Sequence, residues 1–321
     1  MHYSYLGKTG LKVSTICLGS MQFGWSVEET DAHKIIDTAM EAGLNFIDTA
    51  DVYSRWVDGN PGGVSETIIG NWLSNTTISR HDLVIATKVR GQMSVKPNDE
   101  GLSRKHIIIS VEDSLRRLQT DYIDLYQAHF YDEHTPIEET LSAFDILIRQ
   151  GKVRYIGCSN YSAWRLVQAL WAADNSGAPR FDSLQPHYNL VHRKEFEQDL
   201  AEVCQTYGLG VIPYSPLAGG FLTGKYRKDQ TLPESVRAGR VLERYNKDEH
   251  YELIDRMKFI ALENGATSIS QIALAWLLAN PLVTSPIIGP RTIEQLEDNI
   301  GAADVNLNLE EKYLLDEASN M

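Results

Sequence analysis

Ile16-Cys17-Leu18-Gly19-Ser20-Met21 is a short apolar run that breaks into a polar turn, and it lacks GxGxxG spacing. Seven similar runs follow it. Together they read as strands at Ile16–Gly19, Asn45–Asp48, Leu83–Thr87, Tyr122–Ala128, Val153–Cys158, Ser183–His187, Gly210–Pro213 and Ser285–Ile288. Amphipathic stretches with helical spacing lie between them. Ile35, Ile36, Ala39, Met40 and Gly43 follow the first strand, Ile108, Val111, Leu115 and Leu118 the third, and Leu166, Ala169 and Leu170 the fifth. Strands alternating with helices make a parallel sheet. An open, doubly wound sheet would carry a Gly-rich turn after its first strand, and Ile16–Met21 has none. Eight strands instead predict an α/β fold closed into a (β/α)8 barrel.

The rest of the chain fits around that barrel. Tyr3 to Leu6, the turn Gly7-Lys8-Thr9-Gly10, and Leu11 to Ser14 read as an opening hairpin. Glu28-Glu29-Thr30-Asp31 places acids near a helix start, and Pro136-Ile137-Glu138-Glu139 puts a proline and acids in a first turn. Extra helices are expected near the C-terminus, where Leu309, Tyr313 and Leu314 give the tail a helical pattern. The segment 217–249 is polar, rich in Arg and Lys, and reads as a long loop of a kind that is usually functional or mobile. No Ser/Gly-rich linker or low-complexity tract divides residues 1–321, so one domain is expected.

Composition excludes several classes. The 43 Asp and Glu outnumber the 30 Lys and Arg, for a formal net charge of -13. Nucleic acid and anionic membrane surfaces would be repelled at long range. Cys17, Cys158 and Cys204 lie apart, in or beside apolar runs, without metal-ligand spacing, and read as buried reduced thiols. Met1–Tyr5 has neither a basic nor an apolar signal region, and the apolar run Ile272–Ala279 is too short to span a bilayer. A cytoplasmic protein is expected.

In a barrel the reacting groups sit where strands end at the C-terminal face. Asp48 closes the second strand, Lys88 the third and His129 the fourth, and Tyr53 follows Asp48 in the loop. Each has an ordinary reading alone: a turn-forming Asp, a solvated Lys, a satisfied His, a Tyr packed at a rim. As a set they are chemically coherent. A phenol has an ordinary pKa of about 10. A nearby ammonium favours the phenolate, and a carboxylate keeps the ammonium charged and oriented. An imidazole beside them can hydrogen-bond a carbonyl oxygen. The set reads as a proton donor aimed at a carbonyl.

At these residues the chain resembles the aldo-keto reductases, from Leu11-Lys12-Val13-Ser14 through Gly289-Pro290-Arg291. Asp48 and Tyr53 match the family's DTAxxY segment, Lys88 its strand-end lysine and His129 its strand-four histidine. Gly151-Lys152-Val153-Arg154-Tyr155-Ile156-Gly157-Cys158-Ser159-Asn160-Tyr161 is nearly diagnostic. The likeness is to the branch of potassium-channel β-subunits and general stress reductases. It implies NADPH-dependent reduction of an aldehyde or ketone to an alcohol, with Tyr53 as proton donor.

The same resemblance implies a cofactor site. Ser159, Asn160 and Gln185 would hold the carboxamide, and Tyr214 would stack on the nicotinamide. Ser215, Pro216, Leu217, Gly219 and Lys225 would line the pyrophosphate, and Gly289, Arg291, Gln295, Asp298 and Asn299 the adenosine end. Ser20, Met21 and Asp48 complete the set. Individually these too have ordinary readings: Tyr214-Ser215-Pro216 as a turn, Asn299 as a helix C-terminal cap. Trp25, Trp56, Phe130 and Tyr131 follow strands one, two and four, and are expected either to wall the substrate pocket or to pack at the rim.

Two other chemistries fail on the residues present. Gly219–Lys225 fits GxxxxGK, yet Tyr226 stands where Mg²⁺ ligation needs Ser or Thr, and Arg227–Pro233 has no helical pattern to receive phosphates. No HExxH or His/carboxylate cluster suggests a metal. A binding or redox-sensing protein with little turnover on this scaffold is the alternative, and a barrel isomerase or lyase would lack the Ser159-Asn160 and Tyr214 features. Fold alone does not separate these.

Overall fold

The computed structural model describes residues 1–228, 238–265 and 268–320. Strands β1 (Tyr3–Tyr5) and β2 (Lys12–Ser14) pair antiparallel as the expected hairpin. Eight parallel strands follow: β3 (Cys17–Gly19), β4 (Phe46–Asp48), β5 (Val84–Val89), β6 (Ile123–Ala128), β7 (Val153–Ser159), β8 (Ser183–Gln185), β9 (Gly210–Val211) and β10 (Ile287–Ile288). They pair in the order β10-β3-β4-β5-β6-β7-β8-β9. The ring closes through backbone bonds from Thr284 N to Val211 O (2.8 Å) and from Ile287 N to Pro213 O (2.9 Å). The chain is a (β/α)8 barrel.

The period-two alternation of strands explains how the core divides. Cys17, Phe46, Val84, Ala86, Leu125, Ile212 and Ile287 form one buried cluster inside the ring, together with Leu6 and Val13 of the hairpin. The hairpin therefore plugs the N-terminal end. The alternate residues Leu18, Ile47, Ile85, Tyr126, Ile156, Leu184, Val211 and Ile288 belong to a second cluster shared with the surrounding helices. Each inward row then runs toward the C-terminal mouth. Two residues beyond Cys17, Phe46, Ala86, Leu125, Ser183, Ile212 and Ile287 come Gly19, Asp48, Lys88, Gln127, Gln185, Tyr214 and Gly289.

Helices α1 (Glu29–Glu41), α2 (Val64–Asn75), α3 (Arg104–Leu118), α4 (Ile137–Arg149) and α5 (Ala163–Ser176) separate the first six barrel strands. A π-helical turn, Phe196–Leu200, runs into α6 (Ala201–Tyr207). After β9 come α7 (Ala238–Tyr245), α8 (Asp248–Glu263) and α9 (Ile269–Leu278), and after β10 come α10 (Ile293–Gly301) and α11 (Leu309–Ala318). Among the described residues no helix is long and apolar enough to cross a membrane.

Several boundaries differ from the sequence reading. Strands β8 and β9 stop before Pro186 and Pro213, whose missing N–H groups end regular pairing, while their carbonyls still accept Tyr214 N and Ile287 N. Pro136 sits one residue before α4 rather than in its first turn. The segment 217–249 is not one loop: it holds a tight helical turn at Ala218–Thr223, all of α7 and the start of α8. Residues 229–237 of that segment lie outside the described residues, as do positions 229–233 of the stretch after the GxxxxGK match. In α11 the buried apolar residue is Leu315, while Leu309 and Tyr313 face outward.

One carboxyl in the frame yields a pH prediction. Asp182 bonds β7 on both sides, its N–H to Ile156 O and its Oδ2 accepting Ile156 N (3.3 Å). Burial pushes this carboxyl up to about 6, and the Ile156 bond offsets only part of that. In the unfolded chain it ionises near 3.9. Between about pH 4 and 6 the folded protein then holds the extra proton, so this group's contribution to stability falls as pH rises. Asp182→Asn cannot ionise. Its urea midpoint relative to wild type should be more favourable at pH 7 than at pH 4.5, and equal differences at both would refute the assignment.

Candidate active site

The inward rows deliver four polar side chains to one point. Asp48 pairs in register with Ala86 of β5, so Lys88 lies one inward position further toward the mouth. Its stem reaches back, and the ammonium is wholly buried. Lys88 Nζ donates to Asp48 Oδ2 (2.6 Å), Thr49 O (2.8 Å) and Tyr53 Oη (2.9 Å). All three ammonium protons are thereby used. The other carboxylate oxygen, Asp48 Oδ1, accepts from Gln185 Nε2 (2.8 Å) and Gln127 Nε2 (3.2 Å). The His129 ring stands edge-on to Tyr53, with centroids 6.0 Å apart.

Burial alone would discourage the charge on Lys88, but Asp48 and Tyr53 outweigh it and hold the ammonium above its ordinary range. Tyr53 corrects the sequence reading. Its hydroxyl is raised, because the loss of hydration exceeds the lowering by Lys88, and Asp48 adds to the rise. The phenol therefore stays protonated at neutral pH. Burial pushes His129 well below its ordinary value, and the charges of Lys88 and Arg90 push it the same way. It is a neutral imidazole at neutral pH, with one N–H to donate.

Asn160 joins the centre to the far side of the mouth. It follows β7 at φ 57, a left-handed conformation that asparagine tolerates better than most residues. Its Nδ2 donates to His129 O (3.1 Å) and Ser159 Oγ (2.9 Å), and its Oδ1 accepts Tyr214 Oη (2.8 Å). Behind Tyr214, His187 stacks on the ring at 5.1 Å and His192 stacks on His187 at 3.9 Å. Burial, helped by His192 and Arg244, pushes His187 down to about 3. The stack is thus neutral at that position, and it sets the plane of Tyr214.

A cavity of about 390 Å³ opens over these residues. It is lined by Asp48, Tyr53 and His129 of the four, while Lys88 lies beneath its floor. Every residue expected at the cofactor lines it: Ser20, Met21, Ser159, Asn160, Gln185, Tyr214, Ser215, Pro216, Leu217, Gly219, Lys225, Gly289, Arg291, Gln295, Asp298 and Asn299. Three of them also have local structural settings. Arg291 precedes the Thr292 cap of α10, and its N–H donates to Gln295 Oε1 (3.0 Å). Asp298 is committed to α9, accepting from Ser268 Oγ (2.9 Å) and from Gln271 Nε2. Asn299 lies within α10 and is not its C-terminal cap.

Of the four aromatics expected at the substrate pocket, Phe130 alone lines the main cavity. Its ring stacks on His129 at 5.0 Å. Trp56 stands edge-on to Tyr53 at 6.2 Å, and Trp25 meets Trp56 at 5.5 Å. Tyr131 turns away. Its hydroxyl accepts Arg165 Nη1 (2.7 Å), its ring packs on Tyr161, and it lines an adjoining cavity. Phe130 lines both cavities, whereas Tyr131 lines only the adjoining one, where Arg165 and Tyr161 hold it. Gln22, Gly220, Thr223 and Ser270 also line the main cavity, and Gln127 holds Asp48, none of which the sequence reading named. Gln127 was findable as the inward residue two before His129.

Residues 15–320 match the family model described as the aldo/keto reductase family. The chain belongs to that family. Among curated relatives, the uncharacterized oxidoreductase YrpG of Bacillus subtilis is 41% identical, covering 97% of this chain and 93% of its own. A probable voltage-gated potassium channel subunit beta of Arabidopsis thaliana is 37% identical, covering 95% and 92%. Versiconal hemiacetal acetate reductase of Aspergillus parasiticus is 34% identical, covering 99% and 96%. For this aldo/keto reductase the family supports oxidoreductase chemistry on small carbonyl compounds.

Proposed function

We propose that this aldo/keto reductase reduces an aldehyde or ketone to an alcohol with NADPH. The observation that carries the reading is the buried Lys88 ammonium, set 2.6 Å from Asp48 Oδ2 and 2.9 Å from Tyr53 Oη beneath an open mouth. The bound nicotinamide would supply the hydride, and the rest falls to the chain. Tyr53 gives its proton to the carbonyl oxygen as negative charge develops there. Lys88 stabilises the phenolate left behind, and Asp48, braced by Gln127 and Gln185, keeps the ammonium charged and aimed. Neutral His129 donates its N–H to the same oxygen.

The donors around the cavity fit such a dinucleotide. Amide groups of Asn160 and Gln185 and the Ser159 hydroxyl suit a carboxamide. Ser215, Ala218, Gly219 and Gly220 all turn at positive φ, which bends the backbone around the cavity after Tyr214. Lys225 and Arg291 bring cations to its lining. The three buried free thiols, Cys17, Cys158 and Cys204, suit a reducing compartment, which we take to be the cytoplasm. We take residues 1–321 as one domain.

The test is loss of NADPH absorbance across a panel of aldehydes and ketones. Turnover with at least one class is expected. Tight NADPH binding with no turnover on any member would favour the regulatory alternative, a role in keeping with the channel-subunit names among the relatives.

Cofactor choice gives a second test. Arg291 lies just before a helix N-terminus, where anions are favoured, and its planar fork suits phosphate oxygens. A charge-assisted bond contributes about 1.5–3 kcal/mol, so Arg291→Ala should weaken NADPH roughly 10- to 150-fold. NADH, without the 2′-phosphate, should lose far less. Dissociation constants from quenching of tryptophan fluorescence decide it: equal losses, or tighter wild-type binding of NADH, would overturn the assignment.

A further inference from the structure

Beside the main cavity lies a second, lined by Arg90, Phe130, Tyr131, Glu133, His134 and Asn160. Phe130 and Asn160 line both, so the two spaces share a wall next to His129. Arg90 follows β5, two residues after Lys88, at φ 127, a backbone region that side-chain-bearing residues rarely adopt. Such strain persists only where the surroundings over-determine it, and it concentrates at functional positions. The Arg90 Nε is buried and has no hydrogen-bond partner. Among the described residues no carboxylate lies within ion-pairing distance of its guanidinium. A buried unpaired donor on a permanent cation calls for an explanation.

The nearby acids do not answer it. Asp132 feels the charge of Arg90, but its oxygens already accept from Leu102 N (2.7 Å), Thr135 Oγ1 (2.8 Å) and His134 N (3.0 Å). Glu133 is exposed. The cation is also close enough to the reaction centre to help depress His129.

We propose that this adjoining cavity receives a carboxylate borne by the carbonyl substrate, with Arg90 as its bidentate partner. The proposal rests on the reductase reading and narrows its substrate class to oxo-acids. Guanidinium and carboxylate match in plane and spacing, and a turn of the side chain into the cavity it lines brings the buried Nε to the ligand. One guanidinium matches one carboxylate, and with Asp132 and Glu133 already nearby a phosphate dianion would add a further negative charge that nothing there offsets. A substrate whose carbonyl lies at Tyr53 and His129 would pass Phe130 to reach Arg90, so Phe130 forms the shared wall of both subsites.

The test compares each acid with its own methyl ester, which keeps shape and removes charge. The pairs are 4-formylbenzoate and methyl 4-formylbenzoate, and 4-oxobutanoate and methyl 4-oxobutanoate, assayed with wild type and Arg90→Met. Glyceraldehyde 3-phosphate serves as the dianion. In wild type the acid of at least one pair should show the higher kcat/KM. In Arg90→Met that acid should fall roughly 10- to 100-fold relative to its ester, mainly through KM. Arg90→Lys, which keeps the charge but not the fork, should fall between. Equal losses for acid and ester would make Arg90 structural or a tuner of His129 and overturn the proposal. A larger loss with the phosphate would overturn the choice of a monoanion.

If wild type reduces none of these compounds, the reductase reading fails separately, and the subsite is read by binding. Calorimetry with benzoate and benzyl alcohol, in the presence of NADP⁺, should then show a loss confined to benzoate in Arg90→Met. No difference between the two proteins would refute the subsite itself.

Discussion

Tyr53→Phe should lower kcat for carbonyl reduction by roughly 10²–10⁴-fold, the range of positioned general acids. The substitution removes one oxygen and leaves the ring with its T-shaped contacts to Trp56 and His129. Lys88 loses one of three partners but keeps Asp48 Oδ2 and Thr49 O. Folding and NADPH binding should therefore survive, and the loss should fall on kcat and kcat/KM together. Steady-state kinetics alongside a fluorescence titration of NADPH measure both. A near-normal kcat would remove Tyr53 from the mechanism.

Lys88→Met should damage stability and chemistry at once. The lysine is wholly buried, and without it the Asp48 carboxylate keeps two amide donors but no counter-charge. Removing one partner of a buried pair costs about 3–5 kcal/mol. The double variant Asp48→Asn/Lys88→Met is neutral and should regain part of that stability. Activity should not return with it. Losing the electrostatic partner of the developing phenolate should cost about 10²–10³-fold in kcat, as for other preorganised donors. The pH profile carries a further sign. Tyr53 must be protonated to act, so reduction falls as pH rises through its pKa. Lys88 is what restrains the upward shift from burial, so the alkaline limb should move to higher pH in Lys88→Met. A double variant no more stable than the single, or an unmoved alkaline limb, would show that the coupling is absent.

Much of the site follows from local order. Once a strand alternates, Phe46 facing inward puts Asp48 inward, Leu125 does the same for Gln127 and His129, and Ile212 for Tyr214. The barrel mouth collects these ends whatever the loops do, so strand-end residues were legible from spacing alone. The residues of the long cavity were legible by resemblance rather than by spacing, since Lys225 and Arg291 are brought together by loops and helix starts far apart in sequence.

Other features depend on distances that no local pattern encodes. Whether an ammonium lowers a phenol's pKa depends on how much water both have lost, and for Tyr53 burial wins. Phe130 and Tyr131 are equivalent as neighbouring aromatics, and only the position of Arg165 and Tyr161 draws Tyr131 to the adjoining cavity. Arg90 reads along the chain as one more cation after a strand. Its unpaired Nε becomes visible only when Asp132 is seen to spend its oxygens on Leu102, His134 and Thr135. The sequence by itself determined the barrel, its eight strands and the inward-facing order of polar ends, because period-two packing is a local rule. The tertiary structure decided protonation states, the division of the aromatics and the partnering of Arg90, because these depend on desolvation and on donor–acceptor counts summed over residues distant in the chain.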